Sequence, residues 1–249
     1  MKISIITATF NREKYISRAI SSIKSQDYKN VQIIVVDGKS TDKTVELVKP
    51  LLDSDDILHS EVDNGIYDAL NKGLSFADGD IVGFLHSDDV FYNENVLSTV
   101  ASLFYESDAN VVHGDVCFFK SNNVNKVVRR YRCNELSIKQ LAWGKMPAHP
   151  GIFIKRSIYE EVGNFKCNFK IAGDYEFLCR LAKYQNLKSI YSNQIFTKMQ
   201  LGGASTSGLK NTILLNREIL KALNINNIYT NLFMLLSKYP SKIMQFIFK

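Results

Sequence analysis

The run "GDIVGFLHSDDVF", residues 79–91, drives an apolar stretch from Ile81 to Leu85 straight into His86, Ser87, Asp88 and Asp89. Two adjacent carboxylates at the end of a buried strand carry a solvation cost unless something positive meets them. A metal ion, a helix N-terminus or open water could do so. Three further polar clusters follow apolar runs: "TATFN" at 7–11, "DGKSTD" at 37–42 and "DNGIYDALNKG" at 63–73. In open α/β sheets ligands bind beyond the carboxyl ends of the strands, so four such clusters together mark one rim of a sheet as a site. The first turn, Thr7-Ala8-Thr9-Phe10-Asn11, has no G-x-G-x-x-G pattern, and no P-loop follows any strand, which disfavours a dinucleotide-binding dehydrogenase. Acidic residues can meet a phosphate group only through a divalent cation. Mg²⁺ or Mn²⁺ on one or two carboxylates plus phosphate oxygens fits Asp88 or Asp89.

Elements that would carry these clusters are legible. "ISIITAT" and "VQIIVVD" are β-branched runs of the kind buried parallel strands show. Between them Tyr15, Ile16, Ala19, Ile20 and Ile23 share a helical face, with Asn11 as a candidate N-cap. Thr41 or Asp42 can cap a second helix, and "ILHSEVD", "GIYDALNKGLSFA" and "DIVGFLH" read as strand, helix and strand. The alternation continues through "NENVLSTVASLFYES" and "ANVVHGDVCFF", predicting an α/β layer with a mostly parallel sheet. The second half is less regular: "NKVVRRYR" is a strand with a basic solvent face, "ELSIKQLA" a short helix, "GIFIKR" a strand and "DYEFLCRLAKYQ" a helix opening on an acid.

The 249 residues are 45% hydrophobic and 22% charged with a formal net charge of +6, which fits one large domain or a domain plus an appendage. The mild basic excess suits phosphate ligands or an anionic membrane surface. No Lys/Arg-rich block with interleaved aromatics favours nucleic acid. Cys117, Cys133, Cys167 and Cys179 are scattered without a C-x-x-C pair, which points to a reducing, cytoplasmic setting rather than to zinc or a disulfide framework. The opening apolar run is short, is interrupted by Thr7 and Thr9, and reads as a first strand rather than a secretory leader. At the other end, "LKNTILLNREILKAL" is amphipathic and "NIYTNLFMLLSKYPSKIMQFIFK" is apolar but broken by Ser237, Lys238, Pro240, Ser241 and Lys242. Nothing there approaches the ~20 apolar residues of a membrane span. The tail is either a helical appendage docked on the domain or on a second subunit, or an interfacial membrane anchor.

The blocks "SIITATFNREKYISRAISSI", "IIVVDGKSTDKT", "DNGIYDALNKGLSFADGDIVGFLHSDD" and "AGDYEFLCRL", in that order, resemble inverting, nucleotide-sugar-dependent glycosyltransferases of family 2 with the GT-A fold. More narrowly, they resemble bacterial members that build surface polysaccharides such as O-antigen or exopolysaccharide. The resemblance covers roughly residues 1–200. It implies a Rossmann-like, mostly parallel central sheet flanked by helices, a nucleotide-binding half over about 1–115 and an acceptor-side half over about 116–200. Residues 201–249 would then form a flexible loop and a helical, amphipathic extension. On this resemblance Asp37 contacts the nucleotide base, usually uracil, and Thr7 and Thr9 lie in the loop that cradles the nucleoside. "HSDD" matches the D-x-D motif, with Asp88 at its metal-binding second aspartate and His86 and Ser87 on the nucleotide side; His86 stands where the first aspartate often stands. Asp174 matches the catalytic base of the Glu-Asp motif, and Gly173 replaces the usual glutamate. The implied reaction is a single displacement with Mg²⁺ or Mn²⁺. Its acceptor is a glycan, bare or on a polyprenyl diphosphate carrier, at the inner face of the cell membrane.

Each residue also has a plainer role. Asp37 can cap the turn into "STDKT", Asp89 can cap the helix from "NENVL" or orient its neighbour, and Asp174 can N-cap "YEFLCRL". Glu176 reads as a supporting or acceptor-side group and can pair with Arg180 one turn on. His149 precedes a strand and faces either the cleft or the core. Asp63 is a candidate donor contact, while Asp68 can satisfy local backbone. "LGGAST", 201–206, is a loop over the donor phosphates or a simple turn. Two other functions use the same residues. A non-catalytic nucleotide-sugar binder or scaffold of a glycan-assembly complex is separated by transfer to an added acceptor. A metal-dependent phosphatase or nucleotidyltransferase leaves the distant "GDYEF" block unexplained.

Overall fold

The protein is described by a computed structural model over residues 1–120, 123–132, 135–202 and 208–237. The first half alternates as its sequence predicts: β1 (Ile3–Thr9), α1 (Ile16–Lys24), β2 (Val31–Asp37), α2 (Thr44–Val48), β3 (Ile57–Ser60), α3 (Ile66–Phe76) and β4 (Ile81–Phe84). These strands pair in parallel in the order β3-β2-β1-β4. The rest follows as β5 (Val90–Phe91), α4 (Val96–Tyr105), β6 (Val111–Lys120), β7 (Asn123–Tyr131), α5 (Ile138–Ala142), β8 (Ile152–Lys155), α6 (Arg156–Val162), α7 (Gly173–Leu181), β9 (Ser189–Gln200), α8 (Gly208–Ile225) and α9 (Leu232–Leu236). Strand β8 is antiparallel to both β4 and β6, and β9 runs parallel to β6. Six strands, β3, β2, β1, β4, β6 and β9, therefore point one way, while β8, β5 and β7 oppose them. The sheet is mostly parallel, as expected.

Alternation along β1 and β2 builds a core on each face. Ile6, Ala8, Ile34 and Val36 join α3, α7 and α8 on one side. Ile3, Ile5, Ile33 and Val35 pack with α1 and α4 on the other. Burying each large side chain contributes about 1.5–3 kcal/mol, so neither face can turn to solvent. Gly73 sets the height of α3 over the sheet, because a Cβ there would sit 2.4 Å from Ile6 Cγ2.

Several local expectations are corrected. Asn11 does not cap α1; it is in the left-handed region at φ 51° and its Oδ1 accepts from the Thr41 N–H at 2.9 Å, while Tyr15 is the cap residue. Asp42, rather than Thr41, serves the start of α2 through the Thr44 N–H at 3.0 Å. Asp89 does not cap α4, whose cap residue is Asn95. Asp174 is not an N-cap either, because α7 begins a residue earlier and Ala172 holds that position. The cations of β7 do not all face solvent: Arg130 Nε lies 2.6 Å from the fully buried Asp115 carboxylate, Arg132 approaches the same oxygen at 3.6 Å, and Arg129 sits over the Phe118 ring. A buried carboxylate on the paired strand β6 supplies the reason, and nothing in the linear pattern couples it to those arginines.

The C-terminal segment docks on the domain as far as it is described. Ile219, Ala222, Leu223, Ile228 and Leu235 belong to the larger core. Among the described residues no helix is long and apolar enough to cross a membrane. The greater part of "LGGAST" and all residues after Ser237 lie outside the described residues.

Candidate active site

The carboxyl end of β2 places Asp37, fully buried, at the rim. Its carboxylate accepts from the Ser40 N–H at 3.0 Å, from the Ser60 hydroxyl at 2.6 Å and from the Ser40 hydroxyl. The turn-capping role is therefore present, and it also locks the carboxylate's direction. Beside it, a Cβ on Gly38 would lie 2.5 Å from Asp63 Oδ2 and 3.5 Å from the Phe10 ring. Glycine thus lets Asp63 and the half-exposed Phe10 close over the backbone next to Asp37. Asp63 is held by the Gly65 N–H at 3.0 Å, and Asp68 accepts from the Asn64 N–H at 2.9 Å, the local backbone role read from the sequence. Thr7 and Thr9 lie on one face of β1 and are buried, and their hydroxyls have no partner among the described residues.

The 86–89 loop leaves β4 between these residues and β9. Asp89 is buried and its Oδ1 accepts from the Gln200 N–H at 3.0 Å, so it ties the loop to the end of β9. Burial pushes its carboxyl well above the usual carboxylate range, and the Asp88 charge adds to the effect. Arg18, on α1, donates to the Asp88 carbonyl and to Gln200 Oε1, both at 3.1 Å. Asp88 itself is half-buried, and among the described residues no hydrogen bond or salt bridge engages its carboxylate. His86 Nδ1 is likewise enclosed without a partner. Burial holds the His86 imidazole below its usual range, which favours the neutral ring that can ligate a metal. Among the described residues no group of three or more His, Cys, Asp or Glu side chains could hold a metal alone. A free carboxylate and an unpartnered imidazole nitrogen fit a cation that completes its shell with phosphate oxygens and water, as Mg²⁺ commonly does.

Asp174 stands in the first turn of α7. The Tyr175 N–H donates to its Oδ1 at 2.8 Å, and the Tyr67 hydroxyl lies 3.2 Å from the same oxygen. Tyr67 also reaches the Ile171 carbonyl at 2.7 Å. The one phenolic proton is shared between these two acceptors, with the Ile171 carbonyl the nearer. Burial raises the Asp174 carboxyl to about 6, against the lowering effect of the Tyr175 and Tyr67 bonds. Gly173 has a steric reason: a Cβ there would lie 2.7–2.8 Å from the Tyr67 ring. The position of the usual glutamate is filled by that ring.

One continuous aromatic cluster links the Tyr67 beside Asp174 to the 86–89 loop, and the rim along it is the candidate cleft. Tyr67 contacts Phe165, Phe165 contacts His149, and His149 lies between Phe84 at 4.5 Å and His86 at 5.8 Å, measured between ring centroids. His149 thus sits on the cleft wall as part of the core, and burial takes its imidazole down to about 3, so it stays neutral. Ser87 is buried within the same loop. Glu176 and Arg180 are not brought to this cleft. Two residues beyond Asp174, Glu176 points to the opposite face of α7, where it is fully buried and pairs with Arg180 at 3.0 Å and Lys166 at 2.7 Å. Burial disfavours its charge, but the bonds from Arg180 and Lys166 outweigh that and hold the carboxyl below its ordinary range. Arg180 also binds the Gly163 and Asn164 carbonyls at 2.9 and 2.7 Å, fastening α7 to the preceding loop. Nothing in the residue pattern marks Arg18 or Tyr67 as neighbours of the candidate cleft. For Tyr67 a faint signal existed in a glycine beside the acid of "GDYEF", since a missing side chain implies something large above it.

The mostly parallel sheet flanked by helices is consistent with the GT-A class of α/β proteins. The chain belongs to glycosyl transferase family 2, whose model matches residues 4–163. It is 28% identical over 225 residues to the PGL/p-HBAD biosynthesis glycosyltransferase Rv2957 of Mycobacterium tuberculosis, covering 88% of this chain and 83% of that one. An uncharacterized Haemophilus influenzae glycosyltransferase is 27% identical, with 84% and 82% covered. Among solved structures, S. aureus TarS 1–349 in complex with UDP superposes with a TM-score of 0.71 at 20% identity, over 93% of this chain and 67% of that one. The chain spans 40% of a longer TarS structure. The Pyrobaculum calidifontis mannosyltransferase PcManGT, in complex with GDP-Man and Mn²⁺, gives 0.62 at 17% identity, covering 100% of this chain and 81% of that one. At these identities the structural likenesses establish the fold.

Proposed function

We propose that this protein is an inverting glycosyltransferase that moves a sugar from a UDP-linked donor to a hydroxyl of a growing glycan, free or carried on polyprenyl diphosphate, in the assembly of a bacterial surface polysaccharide. The observation that carries the reading is Asp174: a cleft-side carboxyl held by two hydrogen bonds and raised to about 6, in the range a general base needs at neutral pH. Its Oδ2, outside both bonds, takes the proton of the acceptor hydroxyl. As it does so, the acceptor oxygen bonds to the anomeric carbon and the bond to the diphosphate oxygen breaks on the opposite face. Asp63 and Phe10 face the nucleoside side, and Asp37, Thr7 and Thr9 support it from beneath the surface, where they are buried. Asp88 and His86 are the residues that would hold Mg²⁺ or Mn²⁺, which when bound stabilises charge on the departing diphosphate. Uracil is supported by the UDP and UDP-GlcNAc complexes of TarS, and a divalent cation by the Mn²⁺ complex of PcManGT.

A place on the inner membrane face is supported by the exposed Tyr229, Leu232 and Phe233 at the end of the described chain and by the net charge of +6. Asp174→Asn tests the assignment of the base. It is expected to keep UDP affinity, measured by calorimetry with MnCl₂, and to lose turnover by ~10²–10⁴-fold. Transfer at the wild-type rate would remove Asp174 from the mechanism.

A further inference from the structure

Helix α8 lies beyond the stretch matched by the family model and contributes one buried acid to the cleft wall, Glu218, only 8% exposed. Its Oε1 accepts from the Lys170 N–H at 2.8 Å. Its Oε2 accepts from the Ile171 and Ala172 N–H groups at 2.8 and 2.9 Å. Three successive backbone donors thus converge on one carboxylate, immediately before the first turn of α7. Ala172 is the cap residue of that helix and makes no side-chain cap; Glu218 takes its N–H and those of the two residues that lead into it. Among the described residues no cation pairs with it. The charge is held by N–H groups and by the positive end of α7.

We propose that Glu218 is a positioning residue for Asp174: α8 uses it to fix the 170–172 turn and to place a negative charge behind the base. This rests on Asp174 being the base of the proposed reaction. Two consequences follow from the contacts. The turn carries the Ile171 carbonyl to which Tyr67 donates, so holding it also sets where the Tyr67 hydroxyl stands against Asp174. The Glu218 charge opposes ionisation of the Asp174 carboxyl, alongside burial, which is the larger cause. The groups that act on that carboxyl come from three helices: Tyr67 on α3, the Tyr175 and Asp174 N–H groups on α7 itself, and Glu218 on α8. A kinetic requirement for the C-terminal helix would then have a local cause, apart from any role in docking.

Carbon-13 NMR of aspartate-labelled protein reads the coupling without a sugar donor, with the Asp174 resonance assigned from Asp174→Asn. Glu218→Gln keeps one acceptor oxygen and removes the charge. It is expected to lower the Asp174 titration midpoint by at least ~0.3 pH unit. Tyr67→Phe, which removes a bond to the ionised form, is expected to move it the other way. Glu218→Ala should in addition cut hydrogen-exchange protection of the Ile171 and Ala172 amides by roughly tenfold or more, the scale of a lost charge-assisted bond. UDP binding with MnCl₂ should be unchanged in both Glu218 variants. A midpoint that stays at the wild-type value in Glu218→Gln would overturn the proposal and leave Glu218 a structural tie. So would a loss of protection spread evenly over the protein. Wild-type transfer by Asp174→Asn would instead sink the base assignment and leave the measured coupling standing.

Discussion

A carboxyl that must accept a proton near neutrality gains basicity from burial and loses stability by the same cause. With the Asp174 carboxyl at about 6, the kcat profile should rise through an acid limb near that pH, because only the ionised form is a base. The stability sign follows from the direction of the shift. An acid whose folded value is raised opposes folding increasingly from its ordinary value near 4 upward and in full once pH exceeds the folded value. Asp174→Asn should therefore stabilise the protein at pH 7.5 by on the order of 1 kcal/mol, a gain that disappears in thermal melts as pH falls through 6 to 4. An inactive, less stable variant at pH 7.5 would contradict this account of the site. Gly173→Ala offers an independent check, since its Cβ would press on the Tyr67 ring at 2.7–2.8 Å. Better helix propensity offsets part of the overpacking, which typically costs ~1–3 kcal/mol. Activity should fall more than stability, because the displaced ring is the one that reaches Asp174.

Elements reach the site by how closely they pack. Helix α3 presents Tyr67 and the 63–65 turn only because it lies low on β1 at Gly73. Gly73→Ala must push Ile6 aside from 2.4 Å, and we expect a loss of ~1–3 kcal/mol in urea unfolding, with weaker UDP binding as the turn lifts. An unchanged midpoint would mean that α3 has slack to move. The helices and strands themselves were legible, since β1 and β2 are rich in Ile and Val, β4 is apolar throughout and α1 has its apolar residues on one face. Their ends were not. Asn11 and Asp89 are each of a type that caps helices, yet each spends its side chain elsewhere, on the Thr41 N–H and the Gln200 N–H, while Asp174 lies inside its helix and takes the first-turn Tyr175 N–H. Short-range propensity cannot weigh those partners, two of which lie 30 and 111 residues away.

At the scale of the whole molecule the C-terminal segment docks on the domain and leaves apolar side chains exposed beyond it. Ile228 and Leu235 are in the core, and the Thr230 hydroxyl donates to the Ala142 carbonyl at 2.7 Å. Deleting everything after residue 227 would therefore damage the domain and could not test membrane binding cleanly. Leu232→Ser with Phe233→Ser changes only exposed side chains, 63% and 76% accessible. If this surface meets the membrane, the double variant should bind vesicles containing anionic lipid at least ~10-fold more weakly while its melting temperature holds. Equal partitioning in a flotation assay would leave the apolar surface without a membrane role.

The order of elements and the four rim clusters follow from the sequence alone, because apolar periodicity and polar punctuation are local properties that any parallel sheet turns to the same edge. What those clusters do to each other is decided by tertiary packing. Neutralisation of Asp115 by Arg130, the ring of Tyr67 over Gly173, and Glu218 beneath the start of α7 join residues 15, 106 and 46 or more positions apart. Charge and burial act through space at a few ångströms. Only the folded chain sets which groups stand that close.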